Sequence, residues 1–112
     1  MKAKRVVLLS NRSLLAAGVQ RMLEELEGLD LCVVSVGDPE APGRVRAVAP
    51  SVIVVDSGDA SLGHGVITRM LEENPRAKVI ALNLRRADME VYKIKRVQHA
   101  DLEGLVDAIR GS

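Results

Sequence analysis

The chain has 112 residues, a formal net charge of +1 and one aromatic residue, Tyr92, with no Phe or Trp. That length suits a single domain, residues 1–112, around one aliphatic core. Nearly equal numbers of acids and bases create no global field that would draw the chain onto nucleic acid or a membrane, and no apolar run reaches the roughly 18 residues needed to span a bilayer.

Taken in order, Met1 to Arg5 leads into an apolar run too short for a signal peptide. Arg5 to Leu9 has the continuous apolar pattern of a strand, and Ser10-Asn11-Arg12-Ser13 after it suits a loop and a helix cap. Leu14, Leu15, Gly18, Val19, Met22, Leu23 and Leu26 then recur at spacings of three and four, which predicts a helix with one apolar stripe that stops at Gly28. The run Leu31-Cys32-Val33-Val34 predicts a second strand, closed by the turn residues Gly37-Asp38-Pro39. A lone thiol in such a run is a small hydrophobe and cannot make an intrachain disulfide, which points to a reducing cytoplasm.

Glu40 to Ala49 predicts only a short helix, with Val45, Val48 and Ala49 as its apolar face and Pro50 as its end. In Ser51 to Asp59 the unbroken β-branched run Val52 to Val55 is the pattern of a strand covered on both faces. It delivers Asp56 to its carboxyl end, where ligands collect in open α/β sheets. A glycine-rich loop, Gly58 to Gly65, precedes a helix with Val66, Ile67, Met70 and Leu71 on one face, which stops before Asn74-Pro75. Lys78 to Leu84 is the fourth strand.

The repeated strand–helix order predicts an α/β fold, a doubly wound sheet between two helix layers. It breaks after Leu84, because residues 85–90 are too few for the crossover of about a dozen residues that a parallel return requires. An antiparallel edge strand or small meander over Glu90 to His99 is therefore expected, with its basic residues protecting the edge. Asp101 is the expected cap of a last helix whose Leu102, Leu105, Val106 and Ile109 form a buried stripe.

Taken together, Arg5 to Val19, Pro50 to Asp56, Val79 to Asn83 and Asp101 to Arg110 resemble the receiver domain of bacterial response regulators, a flavodoxin-like module of two-component signalling. The resemblance covers nearly the whole chain except Arg85 to Ala100, and it implies about five strands in the order 2-1-3-4-5, here with the family's fourth helix missing. In that family an acidic pair after the first strand helps hold Mg2+, an aspartate after the third accepts phosphate, a hydroxyl residue follows the fourth, and a lysine lies near the fifth. Asp56 matches the acceptor. Ser10 and Asn11 stand at the acidic pair and Asn83 at the hydroxyl position, while the lysine is Lys95 when counted from Tyr92 and is replaced by Gln98 when counted back from the last helix. A hard cation held by one carboxylate instead of three is bound poorly, and phosphoryl transfer depends on that charge stabilisation.

Other candidate groups carry less. Asp59 and His64 read as solvated loop residues, and His64, His99 and Cys32 lack metal-ligand spacing. Gly58 to Gly65 has neither the Gly-Lys-Ser/Thr of a phosphate-binding loop nor a dinucleotide fingerprint. Arg85, Arg86, Lys93, Lys95 and Arg96 are interrupted by Asp88 and Glu90 and have no recognition-helix motif, so no direct nucleic-acid contact is expected. No nucleophile elbow is present, and no enzyme activity, metal or cofactor is expected. The leading expectation is a phosphorylation-independent pseudo-receiver that binds a protein partner or a second copy of itself. The alternatives are an atypical receiver phosphorylated at Asp56, which would need Mg2+, and a flavodoxin-like small-molecule binder using the loops around Ser10, Asp56 and Gly58 to Gly65.

Overall fold

The continuous apolar runs form the centre of a five-stranded sheet in the computed structural model, which describes residues 3–11, 13–56, 64–83, 86–94 and 102–111. In chain order the elements are β1 (Lys4–Ser10), α1 (Leu14–Glu24), β2 (Leu29–Ser35), α2 (Ala41–Val48), β3 (Val52–Asp56), α3 (His64–Glu73), β4 (Lys78–Asn83), β5 (Asp88–Tyr92) and α4 (Leu102–Arg110). The sheet order is β2-β1-β3-β4-β5; the first four strands are parallel and β5 is antiparallel to β4. Among the described residues no helix stands between β4 and β5.

Local chemistry explains where the helices begin and end. The Ser13 hydroxyl accepts the Ala16 N–H at 3.0 Å and so satisfies one of the donors left open at the start of α1. At α2 that work falls to Asp38, whose carboxylate accepts the Glu40 N–H at 2.9 Å while its carbonyl accepts the Ala41 N–H at 3.0 Å. Pro42 sits in the first turn, where a missing N–H costs nothing. Buried Asn74 closes α3 by donating both its backbone N–H and its side-chain amide to the Met70 carbonyl, at 2.9 and 3.0 Å.

Side chains on alternate strand positions fill two layers. Val7, Leu9, Ile53, Val55, Val79 and Ala81 pack beneath α2 and α3, which contribute Ala41, Val45 and Met70. On the opposite face Val6, Leu8 and Val54 meet Val19 of α1. Val45 and Ile53 are fully buried, so the modest apolar pattern of α2 still seals the core.

Three expectations are corrected. Helix α1 closes at Glu24 instead of running to Gly28, with Leu26 beyond it and both Met22 and Leu26 exposed. Acidic Glu24 and Glu25 are unfavourable at the negative end of a helix dipole. His64 is the first residue of α3 and not a loop residue. Helix α4 forms where its periodicity predicts, yet Leu102, Leu105 and Ile109 are exposed. β5 itself runs back along β4 and sets Tyr92 beside Val79, so that strand finishes at the end of the sheet opposite Asp56.

Candidate functional site

Parallel pairing brings the ends of β1, β2, β3 and β4 to one edge of the sheet. Ser10, Asp56 and Asn83 are the last residues of their strands, and Asn11 follows Ser10 directly. Four of the five positions singled out from the sequence therefore share that edge, whereas Lys95 lies outside the described residues. So do Gln98, the other candidate for the lysine position, Asp59, His99, Asp101 and the loop from Gly58 to Gly63.

Each side chain has a distinct setting. Asp56 is half-buried, and a small cavity of about 20 Å³ beneath it is lined by Leu8, Ala16, Val19, Val54 and Leu82, with room for about one water. Ser10 is buried, and its carbonyl accepts the Val36 N–H at 3.0 Å. Asn11 turns its side-chain oxygen to the Ser13 N–H at 3.0 Å, an Asx turn that leads into the α1 cap. Asn83 uses its side-chain oxygen to accept the Arg86 N–H at 3.1 Å. The two asparagines thus both serve the backbone of their own turns.

Two neighbours escaped the sequence reading. Ser35 pairs with Ser10 across β1 and β2, and a hollow of about 420 Å³ beside them is lined by Ser10, Ser13, Gln20 and Ser35, all neutral. Asp88 stands opposite Asn83 because β5 is reversed, so a second carboxylate reaches the same edge as Asp56. It faces the Arg86 guanidinium at 3.5 Å, a mostly solvated pair of little energetic weight. The short β4–β5 connection was the available signal for Asp88; nothing in the sequence pattern pointed to Ser35. Among the described residues no group of three or more His, Cys, Asp or Glu side chains is assembled to hold a metal ion.

No protein-family model, curated protein or solved structure matches the chain. Among the described residues no helix is long and apolar enough to cross a membrane.

Proposed function

We propose that the chain is a cytoplasmic pseudo-receiver, a protein-interaction module of bacterial signal transduction that works without phosphorylation. The observation that carries this reading is the use of Asn11 and Asn83 as turn acceptors. Groups that would hold a cation or the transferred phosphoryl are instead neutral amides engaged with backbone N–H groups, so Asn11 and Asn83 add no negative charge beside Asp56 to attract Mg2+, and the carboxylate of Asp88 at the same edge faces Arg86. Interaction surface is supplied by exposed Met89 and Val91 on β5 and by the apolar stripe of α4.

The test is incubation with Mg2+ and acetyl phosphate, followed by intact-mass measurement. No phosphoryl adduct is expected. An adduct that disappears in Asp56→Asn would establish instead an atypical receiver phosphorylated at Asp56.

A further inference from the structure

The hollow beside Ser10 and Ser35 is built from the edge of the sheet and one flank of α1. Val33 and Ser35 of β2 pair with Leu8 and Ser10 of β1, and strand alternation puts all four side chains on the face that α1 covers, where Leu8 meets Val19. Ala17 and Gln20, one turn apart on α1, form the opposite wall. The helix does not close over the end of β2. Val33 stays 40% exposed on the floor of a space of about 420 Å³, within the size range of small-molecule sites.

The polar groups around that floor have fixed hydrogen-bonding roles. The Ser13 hydroxyl oxygen accepts the Ala16 N–H at 3.0 Å, and the Ser35 hydroxyl oxygen accepts the Gly37 N–H at 3.3 Å. A hydroxyl that accepts in this way keeps its own hydrogen to donate, so two donors stand at the strand-end side of the hollow. Gln20 is the reverse: its amide nitrogen donates to the Glu24 carboxylate at 2.9 Å, which leaves the amide oxygen as an acceptor. Ser13 and Gln20 are about 10 Å apart along α1, and Val33 and Ala17 supply apolar surface between them.

A ligand matched to this set offers acceptors at one end, a donor at the other and C–H surface between. Hydroxyl groups supply both roles, and a sugar or cyclic polyol carries them around a ring with C–H faces. Among the described residues no charged side chain lines the hollow, so an ion entering it would shed water without meeting a counter-charge. The Asp56 carboxylate at the same sheet edge repels an anion further. We propose that this hollow binds a small uncharged polyol the size of one sugar ring, with Ser13 and Ser35 donating to its oxygens and Gln20 accepting from one of its hydroxyls. The site goes beyond the interaction reading, and Asp56 takes no direct part in it.

The probes are D-glucose, D-ribose and myo-inositol at millimolar concentration, observed by saturation-transfer-difference NMR with the full chain. Transfer to the C–H protons of at least one of them is expected. Ser35→Ala and Gln20→Leu should each weaken that binding about tenfold, the usual worth of one hydrogen bond to a ligand, with far-UV circular dichroism unchanged. Gln20 makes its bond to Glu24 at the exposed surface, so Gln20→Leu keeps the test decisive where loss of the Ser35 bond to Gly37 disturbs the fold. Absence of transfer to all three probes overturns the site. So does binding that is undiminished in Gln20→Leu, because the probe then sits elsewhere. Tighter binding of a phosphorylated glucose than of glucose overturns the uncharged class and marks an anion site instead.

Discussion

Asn83 is tied to Arg86 across the β4–β5 connection, its side-chain oxygen accepting the Arg86 N–H at 3.1 Å. Asn83 thus fastens the connection after which β5 runs back along β4. That reversal sets Asp88 opposite Asn83 and places Met89 and Val91 on the open face.

Asn83→Ala is expected to destabilise the chain by about 1 kcal/mol, the usual net worth of such a hydrogen bond. Asn83→Asp keeps the acceptor and should lose less. Urea unfolding followed by far-UV circular dichroism measures both, and an unchanged midpoint for Asn83→Ala would show that the hairpin is held by its strand pairing alone.

Ala49 caps α2 in the left-handed region at φ 52°, where a β-carbon crowds the following carbonyl. The penalty for a non-glycine residue there is about 1–2 kcal/mol, against which glycine loses more backbone entropy on folding. Ala49→Gly should therefore raise the melting temperature by a few degrees, on the order of what a gain of 0.5–1 kcal/mol produces in a chain of this size. A lower melting temperature would mean that the entropy loss wins.

Tyr92 donates its hydroxyl hydrogen to the Glu90 carboxylate, and this bond holds the phenol above its ordinary pKa of 10.0, with some desolvation and the Glu90 charge acting in the same direction. Because the folded value is raised, its contribution to stability is complete below the unfolded value near pH 10 and is lost as pH climbs through the folded one. Tyr92 is the sole aromatic residue, so alkaline absorbance titration reads it directly. Glu90→Ala should shift the titration midpoint down towards 10.0, and an unmoved midpoint would remove Glu90 as the cause.

Much of the scaffold was legible in the chain because its signals are local. The unbroken β-branched run of Val52 to Val55 could be satisfied only by cover on both faces, and the structure buries Ile53, Val54 and Val55. The few residues after Leu84 excluded a parallel crossover, and β5 is antiparallel. The position of Asp56 at a strand's carboxyl end followed from the same pattern, as did the edge it shares with Ser10 and Asn83.

The roles of those side chains were not legible, because they depend on which donor happens to be near. Asn11 and Asn83 read as degenerate pocket residues until the turns brought the Ser13 and Arg86 N–H groups to their oxygens. Asp88 belonged to a basic cluster in the sequence and reached the Asp56 edge only through the reversal of β5.

By itself, then, the sequence determined the order and kind of the elements, since periodicity, capping residues and connection length act over a few neighbouring residues. Only the tertiary structure decided which apolar faces meet. The spacing of Leu102, Leu105, Val106 and Ile109 demands a cover but is indifferent to its source. The reversal of β5 sets which of its side chains join the α1 face of the sheet, and both the α4 stripe and Met89 and Val91 are exposed.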